Sequence, residues 1–176
     1  ITCSTNERTL VPMFIPRCGT GHTLPIMHSS IDASRSACLC AMLSSYVVDF
    51  IFRQKLSGNH ASYYLLMQLP VFPPSHFEKR LHDADLVTWI GERVLKLVYT
   101  AWDMKGFAED MGYEGDPFVW DDEERMHLRC QLDALFFLLY GLSREEIDYV
   151  METFPIVRRH DHERYGDYRT KDLILN

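Results

Sequence analysis

The pair Pro73–Pro74 divides the sequence into two stretches with different patterns. Neither proline donates a backbone hydrogen bond, and each disfavours helix at the residue before it, so no helix or central strand is expected to run through this point. Short apolar runs precede the pair, whereas helical periodicity follows it. We expect a strand–helix–strand, recognition-like segment at 1–72 and a helical segment at 73–176, and we expect the two to form one compact unit.

Three runs in the first segment predict short strands. Leu10–Pro16 and Thr23–Met27 flank a turn-forming RCGTG sequence, and Tyr63–Pro74 is an aromatic and apolar run closed by prolines. The prolines within the first two runs exclude a central position in a sheet. The sequence therefore predicts an α+β fold, with a small N-terminal sheet of about three strands and a mainly helical C-terminal half.

Apolar residues spaced three and four apart predict four helices. Ser143 and Glu146 have the spacing of a capping box in front of the last one, and Gly141 is a typical stop for the helix before it. The glycine- and acid-rich stretch 106–117 is expected to be a loop. The expected bounds are Ser34–Leu56, with Asp32 or Ser34 as cap, Asp83–Met104, Asp121–Tyr140, and a short helix from Ser143 to Pro155.

Composition restricts the class of protein. The longest apolar candidate for a membrane helix, Tyr46–Phe52, is interrupted by Asp49 and ended by Arg53, so we expect no membrane insertion. Five scattered cysteines without CxxC spacing are typical of reduced thiols in a cytosolic protein. Because the chain begins with Ile1 and no secretory signal follows, we expect it to start inside a longer protein.

Sequence patterns for catalysis are absent. The chain has no GxxxxGK[ST] phosphate loop, no GxSxG elbow and no HExxH helix, so we expect no catalytic centre. The run His160–Glu163 has the residue types of a metal site, but adjacent residues rarely converge on one ion, which favours a solvated polar turn and no bound metal. A small metal-dependent enzyme built on His160, His162 and Glu163 is the less favoured alternative.

Donors for DNA contact cluster at the end of the first predicted helix and in the loop after it. The net charge of −7 argues against wrapping nucleic acid, so any DNA contact must be local. Arg and Lys can reach phosphates, and Asn and His can reach base edges. The alternative is a solvated helix end whose cations complement the helix dipole. The DNA-binding candidates are Arg53, Lys55, Asn59 and His60, with Arg17, His22 and Thr23 as weaker ones.

Three blocks of the chain carry a resemblance to a known family. They are residues 6–27, residues 39–74 and residues 139–175, which together contain just over half of the sequence. Leu43-Ser44-Ser45 stands where the family has a leucine-asparagine-serine-like motif, with Ser44 in place of asparagine, and Gln68-Leu69-Pro70 matches a proline-rich exit. The final block contains Tyr140-Gly141-Leu142, Thr153-Phe154-Pro155 and Tyr168-Arg169-Thr170-Lys171. The chain resembles the carboxy-terminal region of large adenine-specific DNA methyltransferases of restriction-modification and phage-defence systems.

The resemblance implies a cytoplasmic prokaryotic parent that binds S-adenosylmethionine, flips an adenine and methylates it, with or without an associated endonuclease. The amino-methyltransferase motif, Asn or Asp followed by Pro-Pro and an aromatic residue, does not occur, because Phe72 precedes Pro73–Pro74. The chain is therefore expected to hold no cofactor and to recognise or support double-stranded DNA beside the methyltransferase portion of the parent. The alternative is a helical scaffold that packs on the methyltransferase core or self-associates without touching DNA.

Overall fold

The computed structural model describes residues 2–3, 5–21, 24–81 and 84–176, and it is mainly helical. Its only strands in these residues are β1 (Arg80–Leu81) and β2 (Ala84–Asp85), which pair antiparallel with Arg80 opposite Asp85. The helices are α1 (Ala33–Ser44), α2 (Tyr46–Lys55), α3 (Tyr63–Leu66), α4 (Leu86–Val98), α5 (Lys105–Asp110), α6 (Asp122–Leu139), α7 (Arg144–Glu152), α8 (Pro155–Tyr165) and α9 (Arg169–Leu175), with short 3₁₀ turns at Pro74–Glu78 and Trp102–Met104.

The predicted α+β fold with a sheet of about three strands is wrong. Leu10–Pro16 and the described part of Thr23–Met27 are irregular, because their prolines cannot donate the hydrogen bonds of a strand ladder. Tyr63–Pro74 begins with α3 instead of a strand. Ser62 caps this helix, since its side chain accepts a hydrogen bond from the backbone N–H of Leu65.

The first predicted helix is confirmed in position but divided in two at Ser45. Ser45 has an extended backbone, with φ −72° and ψ 151°. The backbone N–H of Tyr46, which a continuous helix would use internally, donates instead to Asp133 Oδ1 at 2.7 Å. Asp32 is the cap of α1, because its carboxylate accepts from Arg35 N at 2.8 Å.

The helix predicted over Asp83–Met104 is shorter than expected. Asp85 caps α4 by accepting a hydrogen bond from Thr88 N, and the helix ends at Val98. The loop predicted over 106–117 contains most of α5, so that prediction is wrong in its first part. The reason is packing: Ala108 is buried against Leu95 and Tyr99, which favours a helical turn in a glycine- and acid-rich stretch.

Two of the C-terminal helices, α6 and α7, follow the sequence prediction closely. α6 lies within a residue of its expected bounds, and Gly141 adopts the left-handed conformation, φ +76°, after it. Both hydrogen bonds of the predicted capping box are present: Glu146 N donates to Ser143 Oγ, and Ser143 N donates to the Glu146 carboxylate. Pro155, however, begins α8 instead of closing a helical region, because a proline in the first turn loses no helical hydrogen bond.

The chain forms two compact units. The first unit comprises 1–11, 43–70 and 123–176, and its fully buried side chains include Phe52, Phe136 and Met151. The second unit comprises 12–42 and 71–122, with Ile90 and Tyr99 fully buried. One junction, between residues 70 and 71, falls near the boundary expected at residue 72, and the division into 1–72 and 73–176 stays a prediction.

Within the described ranges, no single helix is long and apolar enough to cross a membrane, although a bent pair, α1 with α2, reaches that length and composition.

Candidate nucleic-acid interface

Arg53, the first of the DNA-contact candidates, is held inside the first unit. Its Nη2 donates to the backbone carbonyls of Asn6 at 2.7 Å and Glu7 at 2.9 Å, and its Nε lies 3.4 Å from Asp49 Oδ1. The guanidinium carbon lies 4.1 Å from the centre of the Phe154 ring, and only 9% of the side chain is exposed. Because these contacts use Nη2 and Nε and leave the side chain almost fully buried, we leave Arg53 out of the candidate interface.

Asp49, the partner of Arg53, is fully buried and has a second function in the fold. Both its carboxylate oxygens accept from the backbone N–H of Thr9, at 2.9 and 3.2 Å. Arg53 and Asp49 together therefore fasten the N-terminal segment to α2. A buried carboxylate that is charged requires such partners, because an unpaired charge in the interior is very costly.

Three of the predicted DNA-contact residues lie close together in the chain, at the end of α2 and in the loop after it: Lys55, Asn59 and His60. Lys55 is half-buried in the last turn of α2, and Asn59 and His60 are exposed in the loop after it. The backbone carbonyl of Asn59 accepts from Thr2 N at 2.8 Å, which fixes the loop near its end. We call residues 55–60 the donor loop, and its side chains present an ammonium, an amide and an imidazole.

The weaker candidates lie elsewhere. Arg17 is exposed in an irregular segment of the second unit. His22 and Thr23 lie outside the described residues. Their contact with DNA stays a prediction.

Charge along the chain favours the donor loop. No Asp or Glu occurs between Asp49 and Glu78, and Asp49 is buried and paired. Residues 1–77 contain 5 of the 18 basic and 3 of the 25 acidic residues, hence +2, while the remaining residues carry 13 basic and 22 acidic, hence −9. The donor loop therefore lies in a locally acid-free sequence within an acidic chain, which suits a local contact with phosphate.

Two exposed tyrosines beside the donor loop were missed by the sequence prediction. Tyr63 and Tyr64 begin α3 and are 56% and 72% exposed, and Met67 at the end of the same helix is 80% exposed. The run Tyr63–Pro74 favours a buried strand in sequence terms, because aromatic and apolar residues are common in buried strands. The sequence signal that could have corrected this is Ser62, a favourable N-cap directly before the run.

Asp133 and His127, both in α6, are engaged separately. Asp133 accepts from Arg8 Nη2 at 3.0 Å and from Tyr46 N at 2.7 Å, whereas His127 Nε2 lies 3.1 Å from Glu123. Burial raises the pKa of Asp133, against the opposing effect of the Arg8 charge. Asp133 is thus a structural carboxylate that joins the N-terminal segment to α2 and α6.

The run His160–Glu163 lies in α8, so the turn expected there is wrong. His160 Nδ1 lies 3.3 Å from Glu7, and His162 faces the backbone carbonyl of Gly166 at 3.4 Å. Residues two apart in a helix point to different sides, which separates the two imidazoles. Across the described part of the chain, no group of three or more His, Cys, Asp or Glu side chains could hold a metal ion.

Comparison with known proteins adds no relative: no family model, curated protein or solved structure matches this chain.

Proposed function

We propose that this chain is a non-catalytic DNA-recognition or DNA-support element of a restriction-modification enzyme that methylates adenine, with the donor loop as its contact. The observation that carries the proposal is the placement of Lys55, Asn59 and His60 on one anchored loop within an acid-free stretch. The partners would be double-stranded DNA and the methyltransferase portion of a cytoplasmic prokaryotic parent, which would bind S-adenosylmethionine.

In this proposal the chain and its parent contribute different parts of the DNA affinity. An acidic chain gains little from general attraction to DNA, so its affinity must come from a few placed donors, while the parent supplies most phosphate neutralisation. Lys55 would contact phosphate, and Asn59 and His60 would reach base edges. None of the described residues forms an ion pair with Lys55, so its ammonium can bind phosphate without first breaking one.

The test is a titration of the chain into a labelled random-sequence duplex at low and moderate salt. Lys55→Ala should weaken binding. It should also reduce the slope of the logarithm of the binding constant against the logarithm of the salt concentration by about one, since one phosphate contact is lost. Lys105→Ala, which removes the same charge from the second unit, is the matched control and should have little effect. Equal binding by the wild type and Lys55→Ala at both salt concentrations would contradict the proposal.

A helical scaffold is the second candidate, favoured by exposed apolar side chains outside the donor loop. In the first unit Leu138 and Tyr149 are each 65% exposed, and in the second unit Val119 is 88% exposed. Apolar surface of this kind is typical of contact with another protein when it is contiguous. Analytical ultracentrifugation over a range of concentrations tests it: a mass that rises with concentration, without DNA binding, would favour the scaffold.

A further inference from the structure

Tyr64 is the most exposed aromatic side chain in the described part of the chain. It is 72% exposed in the first turn of α3, and Met67, three residues later on the same face, is 80% exposed. Within the described ranges, no hydrogen bond or ring contact involves the Tyr64 side chain. Burial in a core does not explain this ring, so the surface that it offers is open to a ligand.

The backbone that carries Tyr64 is fixed on both sides. Ser62 caps the helix at its start, and the Gln68 side chain donates to the backbone carbonyl of Tyr64 at 3.2 Å. Beyond the helix, Tyr140 Oη donates to the carbonyl of Pro70 at 2.6 Å. An aromatic group held on an anchored backbone loses less conformational entropy on binding than one on a mobile loop.

The charges around this helix in the sequence favour a polyanion as the ligand. The donor loop, with Lys55 and His60, ends two residues before the cap Ser62, and the first acidic residue after it is Glu78. Proteins that bind unpaired nucleic acid combine cationic or polar donors with aromatic rings on which bases stack. The donor loop and Tyr64 are adjacent in the chain and provide these two components.

We propose that Tyr64 is a stacking platform for an unpaired DNA base. It follows the donor loop, which contacts the duplex, by four residues in the chain. This inference rests on the proposed function and deepens it, because it specifies DNA with a locally opened base pair as the preferred ligand. A base has a π-face in every sequence, so stacking on Tyr64 adds affinity for opened DNA without selecting a particular base.

The experiment compares two short duplexes that differ by a single unpaired base, a fluorescent adenine analogue. The wild type should bind the duplex with the unpaired base about ten-fold more tightly than the fully paired one, and binding should quench the fluorophore. Tyr64→Ala should remove the preference and the quenching, while Tyr64→Phe should retain both, because the ring and not the hydroxyl stacks. Tyr149→Ala, a tyrosine of similar exposure in the same unit, is the matched control and should behave as the wild type.

The outcomes separate the two proposals. Binding to the paired duplex that depends on Lys55, without a preference for the unpaired base or with a preference that Tyr64→Ala retains, would overturn the stacking inference and leave the proposed function in place. Absence of binding to both duplexes would overturn the proposed function and the inference with it. Loss of self-association in Tyr64→Ala, with DNA binding unchanged, would assign the ring to a protein contact and also overturn the inference.

Discussion

Replacement of Arg53 by alanine should destabilise the first unit. The substitution removes two hydrogen bonds to the carbonyls of Asn6 and Glu7, the contact with the Phe154 ring, and the cation beside the fully buried Asp49. Breaking a buried ion pair by removing one partner typically costs about 3–5 kcal/mol, because the remaining charge is uncompensated.

The lower end of that range applies here. Asp49 keeps its two hydrogen bonds from Thr9 N, and Asn6 and Glu7 are exposed residues, so their carbonyls can bond to water instead. We therefore expect a loss of about 3 kcal/mol in the free energy of unfolding. Lys55→Ala, two residues away and without an ion pair to a described residue, should change it by less than about 0.5 kcal/mol.

Urea denaturation with two optical probes measures this loss. Far-UV circular dichroism follows all helices, whereas tryptophan fluorescence reports the second unit alone, because Trp89, Trp102 and Trp120 all lie there. Arg53→Ala should lower the midpoint of the circular dichroism transition. An unchanged midpoint would refute the structural role of Arg53 and return it to the DNA-contact candidates.

Three further predictions concern caps and thiols. Ser143→Ala should cost about 1 kcal/mol in urea denaturation, because α7 loses half of its capping box. Hydrogen bonds from Thr88 lower the pKa of Asp85. The ionised Asp85 should therefore stabilise the fold above the ordinary pKa of an aspartate, and this stabilisation should be lost as the pH falls through the lowered pKa. An NMR titration of Asp85 with an unshifted midpoint would contradict this. Burial raises the pKa of Cys38 to about 12, so mass spectrometry after thiol labelling at about pH 8 should find exposed Cys18 modified and Cys38 intact.

Local signals explain which helices the sequence predicted well. For α6 and α7, apolar periodicity, a terminal glycine and a capping box all lie within a few residues of the helix ends, so no distant contact is needed to place them. The single helix expected over Ser34–Leu56 failed at Ser45 for the opposite reason. The competing acceptor for Tyr46 N is Asp133, far along the chain.

The strand predictions failed because a short apolar run has the same composition in a strand and in a buried or surface helical turn. Tyr63–Leu66 illustrates this: its aromatic residues favoured a strand, while Ser62 favoured a helix start, and the cap determined the result. The prolines of the N-terminal runs correctly excluded a central strand, because proline has no backbone N–H to donate. The missing N–H groups also weaken the hydrogen bonding that an edge strand needs.

In the candidate site, too, some features follow from the local sequence and others depend on contacts with distant parts of the chain. The donor loop and its acid-free sequence follow from the residues alone, but the burial of Arg53 depends on a chain segment far away. Arg53 is occupied by carbonyls of the N-terminal segment, which no spacing rule relates to α2.

Helix geometry nevertheless limits what the end of α2 can do. Arg53 and Lys55 are two residues apart in a helix, and such residues point to different sides. If one side chain packs on Asp49 and Phe154, the other must lie on a different face, and the structure has Arg53 in the packed position. A DNA contact from this turn can therefore use one cation and not two. The remaining affinity of the donor loop must come from Asn59, His60 and the backbone that holds them, which is why a single charge removed at Lys55 is the sharper test of binding.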